Sequence, residues 1–129
     1  MTIINLTQHA ATPDQVAAGV LDLQGDNLQR LKALLTFDSM PSHDDMVGRA
    51  DKIALLAIGA GGATRYASSV MIGGAPFFMP ILQKALQDAR YNVVYAFTKR
   101  VSKDVAQPDG TTTKTSVFQH AGFIYAYAS

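Results

Sequence analysis

The sequence predicts an α/β fold: a single Rossmann-like domain with a mostly parallel sheet and a C-terminal antiparallel β-hairpin. Three observations carry that prediction. Short β-branched apolar runs alternate with segments of helical spacing from Thr2 to Phe97. Helix-start signals follow the strand-like runs. After Asn92 a long strand-like stretch turns back on itself through a Pro-Asp-Gly turn. The chain has 129 residues, 48% hydrophobic and 16% charged, enough for one hydrophobic core. No linker, repeat or low-complexity segment divides it, so residues 1–129 are read as one domain.

Thr2 to Leu6 is a short apolar run of the kind that forms a buried strand. It stops at Thr7-Gln8-His9, and a helix start follows at Thr12-Pro13-Asp14-Gln15. Thr12 suits the cap, Pro13 the first helical position, and Gln15 the third position of a capping box. Gly19 ends that helix. "VLDL", Val20 to Leu23, reads as a second strand, and strand–helix–strand order favours a parallel pair. Asp26 then caps a helix with Leu28, Leu31 and Leu35 on one face, which Met40-Pro41 breaks.

Ser42, with Asp45 three residues on, marks the next start. Met46, Val47, Ala50, Ile53, Ala54 and Ala57 follow helical spacing, so Ile53 to Ile58 is read as helix, although "IALLAI" alone also suits a strand. Gly59-Ala60-Gly61-Gly62 closes the element as a loop. Ser68 to Ile72 is a third strand, and Pro76 begins a helix buried through Phe78, Leu82, Ala85 and Ala89.

Asn92 to Val105 is strand-like over 14 residues. At ~3.3 Å per residue that is roughly 45 Å, more than twice an ordinary strand, so it must overhang the sheet's carboxyl edge. "QPDGT", Gln107 to Thr111, fits a type I turn with Gly110 in a G1 bulge. That turn sets Asp104 opposite Lys114, Ser102 opposite Ser116, Arg100 opposite Phe118 and Thr98 opposite His120. Thr98, Arg100, Lys114 and His120 then share one face; Tyr95, Phe97, Val101 and Val105 share the other. Asp104 and Lys114 form a cross-strand pair of opposite charge.

"YAFTKRVS" and "DGTTTKTSVFQHAGFIYAY" together resemble the end of small CRISPR-associated Rossmann-fold (CARF-like) proteins. Those proteins pair a Thr-x-x-Arg or Thr-x-Arg element with a closing Phe-x-His strand. The strand leading into "TQHAAT" is similar in layout. The resemblance covers about a third of the chain, and Gly59 to Gly74 has no counterpart in it. It implies a site for cyclic oligoadenylates, often at a dimer two-fold, and in ring-nuclease members their slow cleavage. Position by position it touches Thr98, Arg100 and His120, together with Gln8 and His9.

In open α/β sheets ligands bind outside the carboxyl ends of the strands, where strand order switches. Thr7-Gln8-His9, Gly73-Gly74 and Thr98-Lys99-Arg100 all stand at such ends. Gly73 and Gly74 can present backbone N–H groups to an anion, or can simply allow a tight turn. His9 can bond a ligand or be satisfied by its own loop. His120 can serve a ligand with Thr98 and Arg100, or form a cross-strand bond to Thr98. The ligand-binding candidates are therefore Gln8, His9, Gly73, Gly74, Thr98, Arg100 and His120, with no catalytic residue assigned.

Lys99, Arg100, Lys103 and Lys114 make a local basic patch, either solvated or suited to phosphodiester groups. Tyr91, Tyr95, Tyr125 and Tyr127 are read as core or interface. His43-Asp44-Asp45 suits a helix N-terminus rather than a metal. No metal-ligand spacing is present, so neither metal nor cofactor is expected. The net charge of +1 argues against general nucleic-acid binding. No cysteine means no disulfide framework. No leader pattern and no run long enough for a membrane span are seen, so the expectation is a cytoplasmic protein. The expected partners are a small anionic or nucleotide ligand and a second copy in a homodimer. The competing reading is a non-enzymatic protein that uses the hairpin as a dimerisation arm.

Overall fold

The computed structural model describes residues 2–61 and 69–127, with the backbone alone described at 60 and 61. The elements run β1 (Ile3–Asn5), α1 (Pro13–Ala17), β2 (Val20–Asp22), α2 (Gly25–Leu35), α3 (His43–Gly61), β3 (Ser69–Met71), α4 (Met79–Asp88), β4 (Asn92–Ala106) and β5 (Thr112–Ala126). They form one sheet of order β2-β1-β3-β4-β5. β1 pairs parallel with β2 and β3, β3 pairs parallel with β4, and only β4–β5 is antiparallel. This is the mostly parallel α/β sheet with a C-terminal hairpin that the sequence predicts.

Strand order follows from handedness. The β1–α1–β2 crossover moves one way across the sheet, whereas β2 to β3 skips back over β1. Right-handed crossovers in opposite directions place their helices on opposite faces. Accordingly Leu31 and Leu35 of α2, Ile53 and Ala57 of α3, and Leu82 and Leu86 of α4 bury one face with Ile4, Leu6, Val70, Ile72 and Val93. The other face, with Ile3, Val20, Met71 and Val94, is met among the described residues by the partly buried Ala11 and Phe123. The switch in direction falls between β1 and β3.

Local chemistry sets the element ends. Thr12 Oγ1 accepts from Gln15 N at 3.2 Å and Gln15 Oε1 accepts from Thr12 N at 3.1 Å, a complete capping box. Ser42 Oγ accepts from Asp45 N at 3.0 Å and caps α3. "IALLAI" is helical, with Ile53 and Ala57 fully buried on the face packed against α4 and the sheet.

Four boundaries differ from expectation. Helix α3 continues through Gly59, Ala60 and Gly61, because glycine lowers helix propensity without forbidding it; Gly62 and Ser68 lie outside the described residues. Asp26 sits inside the first turn of α2 instead of capping it, and α2 stops at Leu35, before Met40-Pro41. There Arg49 of α3 donates to Leu34 O at 3.2 Å and Thr36 O at 2.7 Å, satisfying carbonyls that the helix end leaves free. Pro76 opens a turn, and α4 begins three residues later at Met79, with Pro80 in its first turn. Its buried side is Phe78, Met79, Leu82 and Leu86, while Ala85 and Ala89 are only partly buried.

The hairpin has the predicted register. Gln107 N donates to Thr111 O at 2.7 Å, Gly110 N to Gln107 O at 3.0 Å, and Gly110 has φ +86°. Asp104 faces Lys114, Ser102 faces Ser116, Arg100 faces Phe118 and Thr98 faces His120. Among the described residues β3 pairs with β4 only at Asn92 to Val94, and beyond that β5 is the one strand paired with β4. That leaves a two-stranded ribbon reaching roughly 40 Å beyond the sheet at ~3.3 Å per residue. No described helix is long and apolar enough to cross a membrane.

Candidate functional site

The carboxyl edge is organised by one buried side chain. Asn5 ends β1 and is 3% exposed. Its Nδ2 donates to His9 O at 2.8 Å and to Asp22 Oδ1 at 2.7 Å, while its Oδ1 accepts from Thr7 N at 2.9 Å and Thr7 Oγ1 at 2.7 Å. Asp22, the register partner of Asn5 on β2, accepts from Ala11 N through both oxygens, at 3.1 and 3.2 Å. The loop from Thr7 to Ala11 is thus pinned to the sheet by its backbone, and the His9 imidazole is left exposed. The Asn5–Asp22 pair was not singled out in the sequence. The available signal was polar: an Asn closing "IIN" and an Asp in "VLDL" interrupt otherwise apolar strands.

Beneath that loop, between β1 and β3, lies a cavity of about 400 Å³. Its walls are Thr7 to Ala10, Thr12 and Gln15 at the start of α1, Met71 at the end of β3 with Ile72 to Gly74 beyond it, and Tyr95 and Ala96 where β4 leaves the sheet. This is the switch point of strand order, where open α/β sheets take ligands. Gln8, His9, Gly73 and Gly74, placed at two strand ends by the sequence, meet here. Gln8 is held in place: its Nε2 donates to Thr36 Oγ1 at 2.9 Å. Gly74 has φ +152°, a conformation that favours glycine, and a Cβ there would lie 3.5 Å from Met79.

Thr98, Arg100 and His120 stand further out. Along β4, Ala96 in the cavity wall, Thr98 and Arg100 alternate onto the face that carries Val94. Arg100 is roughly 13 Å beyond Ala96 at ~3.3 Å per residue. The same face therefore runs from the cavity onto the ribbon, first to the Thr98–His120 rung and then to Arg100–Phe118.

A bulge brings His120 back toward the cavity. Register shifts between Phe97, opposite Gly122, and Thr98, opposite His120, so Ala121 is the extra residue, and Gly122 has φ +148°. The shift puts Phe123 on the face of His120, with ring centroids 4.9 Å apart. His120 Nδ1 is buried and has no hydrogen-bond partner among the described residues, and no hydrogen bond between Thr98 and His120 is present among them. Arg100 lies over Phe118, 5.4 Å from the ring centroid, a cation–π pair that keeps the guanidinium on this face.

The basic patch is divided. Arg100 and Lys114 lie on the face of the cavity, Lys99 and Lys103 on the other. Asp104 and Lys114 occupy one rung, yet the ion pairs within 4.0 Å among the described residues are Arg49–Asp45 and Lys84–Asp88. Burial raises the hydroxyls of Tyr91 and Tyr95 above their usual range, and Tyr95 donates to Gln83 Oε1 at 3.0 Å. Tyr95 is thus a braced wall residue, whereas Tyr127 is 85% exposed. Among the described residues no group of three His, Cys, Asp or Glu side chains is placed to hold a metal ion.

A family model matches residues 1–124, from the first strand to within two residues of the end of β5. The chain belongs to the uncharacterized protein MJ1673 family. The match takes in both halves of the carboxyl edge, Thr7–His9 and Gly73–Gly74, and the ribbon with Thr98, Arg100 and His120. No curated protein and no solved structure matches the chain.

Proposed function

We propose that the protein binds a nucleotide-class anion, with cyclic oligoadenylates as the ligand class, and acts in the cytoplasm. The observation that carries this reading is the cavity at the β1–β3 switch point, where His9, Gln8 and the Gly73-Gly74 turn converge beside a ribbon face bearing Arg100. The turn offers backbone donors to a phosphate, and the exposed imidazole of His9 offers one more. A second phosphate of a ring lying along the ribbon meets Arg100.

Cleavage, in this reading, uses the ligand's own chemistry. The 2′-oxygen attacks the adjacent phosphorus, the bond to the 5′-oxygen breaks, and the proton of the 2′-hydroxyl leaves with the 5′-hydroxyl. The products are a 2′,3′-cyclic phosphate and a free 5′-hydroxyl. The protein's part is to align the 2′-oxygen and stabilise charge on the phosphoryl oxygens through Arg100. Turnover is slow, because alignment and one cation supply only part of a barrier of this kind. Incubation with cyclic oligoadenylates of several ring sizes, with and without chelator, tests this. Saturable binding with chelator-resistant cleavage supports it; no binding to any ring sinks the ligand class, and cleavage lost in chelator sinks the metal-free step.

A second reading is favoured by the ribbon itself. Among the described residues no other strand pairs with its edges beyond Val94, and Phe97, Val105 and Phe118 are 49%, 41% and 70% exposed. Long open edges invite pairing with another chain. We infer a second copy as the occupant, giving a homodimer in which the ribbon is the arm. Replacing Ser102 to Lys114 by a short turn separates the readings. A monomer that still binds ligand assigns the ribbon to assembly, whereas a dimer that no longer binds assigns it to the site.

A further inference from the structure

A second, smaller cavity of about 250 Å³ opens between the carboxyl ends of β1 and β2. Thr7, Gln8, His9 and Ala10 line both it and the switch-point cavity, so one loop is the partition between them. At this size it falls below the ~300–1,000 Å³ of a whole ligand site, so it suits a fragment of a ligand whose remainder lies next door. Its charged walls are Asp22 and Lys32, with Leu23 and Leu28 supplying apolar surface.

The chemistry of Asp22 selects the fragment. Its Oδ1 takes Asn5 Nδ2 and Ala11 N, while Oδ2 takes Ala11 N alone, at 3.2 Å. A carboxylate has about four acceptor positions, so capacity remains, and it has no donor of its own. A phosphate placed directly against it meets like charge. A hydroxyl meets an acceptor. Asp22 also ends β2, the position from which an acidic side chain in doubly wound sheets takes a ribose hydroxyl.

Resting on the nucleotide reading above, we propose that the β1–β2 cavity holds a ribose whose free 2′-hydroxyl donates to the Asp22 carboxylate, with the rest of the ring passing over the Thr7–Ala10 loop into the neighbouring cavity. In a 3′,5′-linked ring the 3′- and 5′-oxygens are both esterified. The 2′-hydroxyl is then the only donor the sugar has, and Asp22 makes the site selective for ribose over deoxyribose.

The test is a set of calorimetric titrations of the full chain with cyclic tetra-adenylate and its 2′-deoxy and 2′-fluoro counterparts, repeated on Asp22→Ala. The wild type is expected to bind the ribose ring about tenfold or more tighter than either analogue, as one hydrogen bond to a charged acceptor allows. In Asp22→Ala that ratio falls toward one. The ratio is internal to each protein, so a loosened Thr7–Ala11 loop lowers all affinities together and leaves it unchanged. Equal binding of ribose and deoxyribose rings by the wild type overturns the proposal, and so does a ribose preference that survives in Asp22→Ala. Binding of the 2′-fluoro ring as tightly as the ribose ring also overturns it, since fluorine fills the space without donating. That comparison can overturn the proposal even where Asp22→Ala fails to fold. Failure of all three rings to bind the wild type is a different result, which removes the nucleotide reading and this inference with it.

Discussion

At the scale of single residues, Asn5 and His9 divide the work of the first strand's end. Asn5 is buried and makes four hydrogen bonds, whereas the His9 imidazole makes none among the described residues and only the backbone of His9 is engaged. Asn5→Ala is therefore expected to destabilise the fold by about 2–3 kcal/mol, since it removes the partner of the partly buried Thr7 amide and one bond each from His9 O and Asp22. His9→Ala keeps every one of those bonds, and denaturant melts should place it within about 0.5 kcal/mol of the wild type. Asp109 makes a separate prediction. Hydrogen bonds from the Thr111 hydroxyl and amide hold its carboxyl below its usual value of 3.8. A depressed pKa stabilises above the ordinary aspartate range and stops doing so as pH falls through the folded value. Amide spectra followed downward from neutral pH should show the Thr111 resonance holding through the usual range and moving only below it. Asp109→Asn should move it at neutral pH as well.

At the scale of elements, the ribbon's register was legible because a turn type dictates it: Gln107-Pro108-Asp109-Gly110-Thr111 fits a bulged three-residue loop, where a two-residue turn would regroup the faces, and every rung back to Thr98 follows from the bulged one. The bulge at Ala121 was not legible, because it needs only one glycine with a positive φ and "HAGF" carries no other mark. Its effect is large, since it puts His120 and Phe123 on one face and breaks strict alternation. Gly122→Ala is expected to cost about 1–3 kcal/mol in ribbon stability through φ strain alone, as open space surrounds the position. Hydrogen exchange should report that cost in β5 while leaving Val70 and Val93 protected. The helix limits were harder still. Where α2 ends is decided by Arg49 reaching across from α3 to the carbonyls of Leu34 and Thr36, a tertiary contact that no local signal announces.

At the scale of the whole molecule, the sheet has two unequal faces. Three helices cover one, and the other has the five-residue α1 with the site at its edge. The sequence revealed that strand ends would gather polar residues, since polar side chains closing apolar strands mark a carboxyl edge. It could not reveal which ends meet. Strand order brings β1 beside β3, so Thr7–His9 meets Gly73–Gly74, while the length of β4 carries Thr98 and Arg100 past that meeting point. In the proposed reading this geometry makes the ligand's size matter. Arg100→Ala is expected to weaken binding of a cyclic oligoadenylate by about 1–3 kcal/mol and to leave adenosine monophosphate binding unchanged, because Arg100 lies roughly 13 Å beyond the cavity wall. The most direct measurement of the central claim is calorimetric titration of cyclic oligoadenylates into the wild-type chain and into His9→Ala. The account predicts saturable binding by the wild type and an affinity about 1–3 kcal/mol weaker in His9→Ala, with both proteins equally stable. Binding to neither protein, or equal binding to both, would contradict it.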